Sequence, residues 1–595
     1  MRGNIFALAG LWIAAFAANG LGAAYSVDSP DGKIEAIVED GERLTFTLKV
    51  DGKTMLDKRP IGLKTEKGAF GQNASALSNE SSRADSPPAA AIDFTKAGGV
   101  KHNTLALHFN DFTLGVRVSA EAATCRFSAS SGGKTIVEDE TFERSSPKDK
   151  GSTVTRLTVG EERVIVRGIR PEEQLWGAYQ FPCPYKLDDR IVVSVHVAVD
   201  NIKSFAENTK KWFESRDGGV IWKEIDPSVS AQCGLLLQNG DRVFFPQTPG
   251  VNLEAYKSAD IHTYTPNYDF TQKAAEGSLP IPDGMSYFFD GTVIKAYNAD
   301  RLPVSLSKKE WKVQRLPAGK TQPVDEMAQL DWPYLTRVVY TGKHYGQTLR
   351  SLFPHGRSKI GPDGAIWTST YSGDAHINPA TGQFSPYYSS QILRSEDYGH
   401  TFKLRAHMEY EADGKEYPYQ SGGFSDNDFE FMPDGSIVWF FRSNWFLYTG
   451  KEWDPMYMAR STDNGFTWSK PVKFSDIGIL PRLCKLKSGI TLLCYARPGM
   501  FVTVCENESG TRWCQPLVMM EAGDRSHLAN TKINTPFFHQ WDGTCGNPEL
   551  IPLGDDSALL FYSDFYYPDE NGINRKTILC RPITVERSKR EWNDR

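Results

Sequence analysis

The sequence predicts an all-β protein: a β-sandwich on the N-terminal side, then a longer β-domain of repeated antiparallel sheets. Three observations carry this. One octet recurs three times, as Ser215-Arg216-Asp217-Gly218-Gly219-Val220-Ile221-Trp222, Ser395-Glu396-Asp397-Tyr398-Gly399-His400-Thr401-Phe402 and Ser461-Thr462-Asp463-Asn464-Gly465-Phe466-Thr467-Trp468. Each reads Ser-x-Asp-x-Gly-x-x-aromatic and follows a strand-like run such as Met456 to Arg460. Apolar and polar residues alternate over short runs separated by turn residues, which is the strand signature. Aromatic residues make up 12% of the 595, glycines number 51, and long helical periodicities are scarce, which suits many short strands and tight turns.

The chain divides into three expected segments. Residues 1–24 read as an export signal: Arg2 gives a positive start, Ile5 to Ala18 is apolar but short for a membrane span, and Gly22-Ala23-Ala24 is a small-residue cleavage site. The mature chain is then expected to begin near Tyr25, to be secreted or periplasmic, and to carry no membrane span. Residues 25–165 are the expected sandwich, with strands at Lys33 to Val38, Leu44 to Val50 and Thr104 to Phe109 and a polar loop from Asn73 to Ala91. Residues 175–585 are the repeat domain, with long insertions at Asn252 to Ile281, Pro354 to Tyr388 and Asn444 to Asp454. These insertions are rich in Tyr, Trp, His and Asp, a composition that offers flat rings to sugar faces and polar groups to hydroxyls.

Within each octet the chemistry is structural. Gly219, Gly399 and Gly465 tolerate the positive φ of a tight turn. The Ser and Asp side chains satisfy turn backbone, and the terminal aromatic packs beneath it. A decayed fourth copy is read at Glu506 to Trp513. The octet resembles the Asp box of the sialidase-like β-propellers. That resemblance implies a six-bladed sialidase-like β-propeller and a sugar ligand. Ser29-Pro30-Asp31-Gly32-Lys33 and Val50-Asp51-Gly52-Lys53-Thr54 resemble the start of the N-terminal β-sandwich of glycoside hydrolase family ninety-seven.

The resemblance also assigns roles position by position. Sialidases hold a substrate carboxylate with three arginines, because a guanidinium pairs bidentately with it. Gln180, in Tyr179-Gln180-Phe181-Pro182, occupies the first arginine position. Arg442 and Arg497, each ending a strand after a Gly turn, match the other two. Asp426 stands where the activating Glu is expected, and Asn547 lies where the Tyr nucleophile would be. Asp200 lies near the place of the acid/base Asp. Period two puts Asp426, Asp428 and Glu430 on one face of a strand and Phe429 and Phe431 on the other. The resemblance thus implies a sialidase scaffold without sialidase machinery.

The leading expectation is an exo-acting glycoside hydrolase on a non-sialic glycan, including an acidic one such as a uronate. Asp200 and Asp426 would be its carboxylate pair. Arg442, Arg497, Gln180, His355, Asp374 and His376 would contact substrate. One alternative is a propeller polysaccharide lyase using His196, His355, His376, Tyr371, Tyr387 or Tyr388 as base. The other is a glycan-binding propeller without catalysis. The expected partner is an oligo- or polysaccharide and the expected state a monomer. A net charge of -6 without a basic run gives nucleic acid no electrostatic footing. The nine cysteines form no Cys-x-x-Cys pair, and no metal-ligand spacing is present, so no cofactor is expected. Cys484 to Cys545 could hold a disulfide or buried free thiols.

Overall fold

The structure, a computed structural model, describes residues 23–591 apart from internal segments. The longest of these are 83–101, 144–150, 171–177, 198–209, 246–261, 265–284, 299–309, 337–352, 411–422, 444–454 and 521–545, with shorter ones of one to six residues. The expected export signal therefore lies outside the described residues, apart from its last two positions. The chain forms two compact units. One is built from residues before 161 together with 584–595, the other mainly from 161–583.

The first unit is a β-sandwich. One antiparallel sheet runs in the order Ala24–Asp28, Ile34–Glu39, Thr45–Val50, Lys53–Pro60. A second carries Ser78–Ser82, His102–His108, Phe112–Ser119, Ala122–Ser131, Lys134–Glu143 and Gly151–Val159 in sequence order. Ile34–Glu39 alternates strictly between buried and half-buried positions. Its Ile34, Ala36 and Val38 join Phe46 and Leu48 against Leu107, Leu114, Val116, Phe127 and Phe142 in one apolar core. Phe46 stacks on Phe142 with centroids 4.9 Å apart. The Asn73 to Ala91 loop expectation is corrected in part: Ser78–Ser82 is a strand, with Ser82 opposite Thr104. It is an edge strand, where one row of backbone groups faces solvent and polar side chains are favoured, so its composition reads as a loop.

The second unit is a β-propeller. Three separate four-stranded antiparallel sheets start at Gln180–Lys186, Ser425–Phe431 and Ile479–Lys485. Gly546–Pro552, Ser557–Pro568 and Asn574–Glu591 form a further meander. Arg163–Arg167 completes it by pairing Arg163 with Cys580. A strand that precedes the first blade thus closes the last one. The remaining blade strands form a larger sheet in which Val324–Asp331 pairs parallel with Thr401–Glu409. The leading strands lie side by side: Ser425–Phe431 packs on Ile479–Lys485, that strand on Gly546–Pro552, and that one on Gln180–Lys186. We call these four the axial strands.

Apolar clusters fill the spaces between sheets. Trp367, Phe429, Phe431 and Trp439 form one, and Val193, Phe213, Phe561 and Ile578 another, across the closing seam. The octets fold as turns that cap these clusters. In each, the Ser hydroxyl donates to its Asp and accepts the Gly N–H, at 2.7 and 2.8 Å for Ser215, 2.7 and 2.9 Å for Ser395, and 2.8 and 2.9 Å for Ser461. Trp222, Trp468 and Trp513 each donate an indole N–H to the carbonyl of the turn glycine. The fourth copy is one residue longer than the frame read from sequence. Asn507 takes the Asp role, accepting from Thr511 and Arg512 N–H at 3.1 and 3.2 Å. No disulfide joins two of the described cysteines, and Cys545 lies outside the described residues.

Candidate active site

All four axial strands carry a β-bulge at the end away from the octets. Pairing skips one residue between Gln180 and Cys183, Ser425 and Asn427, Ile479 and Arg482, and Gly546 and Glu549. In three of them the extra residue sits at positive φ and is followed by proline. Phe181 (52°) precedes Pro182, Leu480 (53°) precedes Pro481, and Asn547 (69°) precedes Pro548. Proline has no N–H for the ladder, so it fits where the ladder is broken. Non-glycine residues at positive φ cost on the order of 1–3 kcal/mol each and persist where surrounding structure holds them. Bulges bend a strand and re-aim its side chains, which is why they recur beside functional sites.

The residues after two of these prolines, Arg482 and Glu549, pair with each other and anchor a layer of charge. Glu549 accepts from Arg482 Nε at 2.5 Å and from Arg357 Nε at 3.2 Å. Arg357 also donates to the Pro184 carbonyl at 2.6 Å, so it bridges two axial strands. Lys359 lies 2.9 Å from Glu430 and 3.6 Å from Asp428, and donates to the Phe429 carbonyl. Asp428 accepts the Leu483 N–H at 2.8 Å.

Burial and partners act against each other on these groups. Burial alone would raise Glu549, but Arg482 and Arg357 outweigh it and hold its carboxyl below the ordinary range. Burial dominates at Asp428 and raises it despite Lys359 and Arg482. Burial opposes the charge on Lys359, yet Asp428 and Glu430 hold its pKa above the ordinary value. Three cations and three carboxylates make the layer neutral. We call this charge-balanced layer the floor.

Beyond this floor, at the octet-distal end, lies Asp426. It is the extra residue of its bulge, between Ser425 opposite Arg442 and Asn427 opposite Phe441. Asn427 is anchored the other way: it donates to the Thr370 carbonyl at 3.0 Å and accepts the Trp439 indole N–H at 2.9 Å. That anchor fixes the direction in which Asp426 leaves the strand. Arg442 Nη1 meets Asp426 Oδ2 at 2.9 Å, with 11% and 10% of the two side chains exposed. Gln180, fully buried, stands opposite His196 on the neighbouring strand. The Phe181 ring meets His196 edge-on at 5.9 Å.

Of the residues singled out from sequence, the structure brings Asp426 and Arg442 into contact and sets Gln180 at the same end of its own axial strand. Asp200, Arg497, His355 and Asp374 lie outside the described residues, as do Tyr387 and Tyr388. His376 belongs to a two-residue strand paired with Leu335–Thr336, and only its backbone is described. Tyr371 pairs with Phe353 in its sheet. Sequence reasoning missed Arg357, Lys359, Arg482 and Glu549. The signal for two of them was the dipeptide before each charge, Leu480-Pro481 and Asn547-Pro548, which repeats Phe181-Pro182. Among the described residues no group of His, Cys, Asp and Glu is arranged to hold a metal ion, and no helix is long and apolar enough to cross a membrane.

Among curated proteins none matches the chain. A protein of unknown function from Dyadobacter fermentans aligns over 72% of this chain and 99% of its own, at 17% identity and TM-score 0.43. An α-L-arabinanase from Penicillium chrysogenum, solved with arabinobiose, aligns over 71% and 98%, at 11% identity and TM-score 0.34. A Trypanosoma rangeli sialidase, solved with 2,3-difluorosialic acid, aligns over 68% and 54%, at 11% identity and TM-score 0.29. Residues 27–208, under a third of the chain, match the family model of the glycosyl-hydrolase 97 N-terminal domain.

Proposed function

We propose that this chain is an exported carbohydrate-active enzyme, an exo-acting glycoside hydrolase on a non-sialic glycan. Asp426 is its catalytic carboxylate and Asp200 the partner acid/base. The observation that carries the reading is the contrast among the axial carboxylates. Glu549, Glu430 and Asp428 are locked into the floor by two cations or by a cation and backbone N–H groups. Asp426 differs from them in position: it is the extra residue of a bulge at the octet-distal end of its strand, outside the floor, and it meets a single described cation, Arg442. A carboxylate at that end of the axis can act on a chain end held beside it, and hydrolysis needs such a group on each side of the scissile bond.

The match of residues 27–208 to a glycosyl-hydrolase N-terminal domain supports a sugar substrate. Gln180, Arg497, His355, Asp374 and His376 are proposed substrate contacts. Release of reducing sugar from a panel of glycans and aryl glycosides tests the reading, with Asp426→Asn as the control. An unsaturated product absorbing in the ultraviolet would identify a lyase instead. Binding without turnover by an intact protein would identify a glycan-binding propeller.

A further inference from the structure

The sequence led us to expect Arg442 to receive a substrate carboxylate. The geometry points to another role: we infer that the site takes an uncharged sugar, and that Arg442 is a positioning residue that holds Asp426 in its working orientation. This rests on the hydrolase reading of the same site.

Four observations carry it. The guanidinium already meets a carboxylate, with Arg442 Nη1 at 2.9 Å from Asp426 Oδ2. The two side chains come from adjacent strands of one blade, and Arg442 stands directly opposite Ser425, the residue before the bulge. The pairing is therefore built into the sheet register and does not depend on a distant loop. Next, Arg357, Lys359 and Arg482, the described cations of the axial layer, are each within ion-pair distance of a carboxylate. No described cation on the axis is left to meet an anionic ligand. Finally, both members of the pair are about nine-tenths buried. A ligand carboxylate reaching the other guanidinium N–H groups of Arg442 would set a second negative charge beside Asp426 against a single cation in a nearly dry site, which is costly. An uncharged sugar leaves the pair intact, and its hydroxyls can donate to the outer carboxylate oxygens.

The role of Arg442 is then geometric. Asp426 sits on an extra residue of the strand, where the ladder does not fix it. Asn427 sets the backbone direction, and the guanidinium sets the side chain. A misplaced carboxylate loses rate on a substrate that still binds.

The test uses the whole protein with two sets of aryl glycosides: uncharged pentosides and hexosides, and glucuronides with sialosides. Turnover confined to the uncharged set is expected. Arg442→Met should lower kcat by about 100-fold with KM changed less than about threefold, and Arg442→Lys should recover part of the loss. Circular dichroism and Tm establish that both variants fold. Turnover confined to the acidic set, with Arg442→Met acting on KM, would overturn the inference and leave the hydrolase reading standing. No turnover of either set would refute the hydrolase reading. The inference would then be decided by titration calorimetry with glucuronate and with uncharged sugars. Glucuronate binding that Arg442→Met abolishes would overturn it. Binding of uncharged sugar only would sustain it.

Discussion

Lys576 offers a measurable test of how this propeller closes. It lies on Asn574–Glu591, the strand that Arg163–Arg167 joins at the closing seam. Its backbone is tied on both sides: its N–H donates to the Ile169 carbonyl at 2.9 Å, and its carbonyl accepts the Gly168 N–H at 2.8 Å. Its side chain is 3% exposed, and the ammonium nitrogen lies 4.8 Å from the centroid of Phe565. Among the described residues no carboxylate pairs with it. Burial is the whole cause of a pKa brought down to about 7.

In the unfolded chain a lysine titrates near ~10.4. Between those values the unfolded state holds one more proton than the folded state, so stability rises with pH across that window. Below pH 7 the lysine is charged in both states and the full penalty is present. Three or so pKa units at about 1.4 kcal/mol each set an upper bound of roughly 4–5 kcal/mol. Lys576→Met keeps the stem and removes the charge. Urea unfolding of both proteins at a series of pH values from 6 to about 10 should show the variant ahead by several kcal/mol at the acid end. The gap should shrink steadily above pH 7 and nearly close by pH 10. A gap independent of pH, or one that widens as pH rises, would refute the assignment of an uncompensated buried lysine.

Three further outcomes follow from the same structure. Glu549→Gln leaves Arg482 buried and Arg357 half-buried around a neutral amide, so urea unfolding should register a loss of about 3–5 kcal/mol; a loss under about 1 kcal/mol would show that the floor does not depend on that carboxylate. Trp513, 2% exposed, should cost roughly 3–5 kcal/mol on truncation to Ala, and Trp468, half-buried against Trp439 at 5.0 Å, measurably less; the reverse order of Tm shifts would contradict this ranking. Hydrogen bonds from Thr467 bring Asp463 down to about 2, so the stability it adds is present above about pH 4 and is lost as pH falls towards 2. Asp463→Asn should therefore flatten the acid limb of stability against pH, and an unchanged limb would contradict that.

The parts of this fold written in local chemistry were the parts that could be read from sequence. Ile34–Glu39 announced itself by strict alternation, and the three octets by residue types whose hydrogen bonds are made within eight positions. The fourth turn was read one residue out of frame because Asn507 accepts from its N–H donors within a longer loop. Ser78–Ser82 was read as loop because an edge strand needs few apolar residues. The Asp426–Arg442 contact was within reach, since adjacent strands fix it. The axial floor was not, because Arg357, Arg482 and Glu549 are far apart in sequence and meet only when the blades close into a ring. For Arg482 and Glu549 the one local trace was a proline at a bulge, which alone reads as an interrupted strand.

The central claim is that Asp426 performs hydrolysis at the octet-distal end of the axis. Its most direct measurement is reducing-sugar release by the purified protein and by Asp426→Asn on the same glycan. The account predicts turnover by the parent protein and a loss of at least about 100-fold in kcat in the variant, with Tm unchanged. Equal turnover by the two proteins would contradict it.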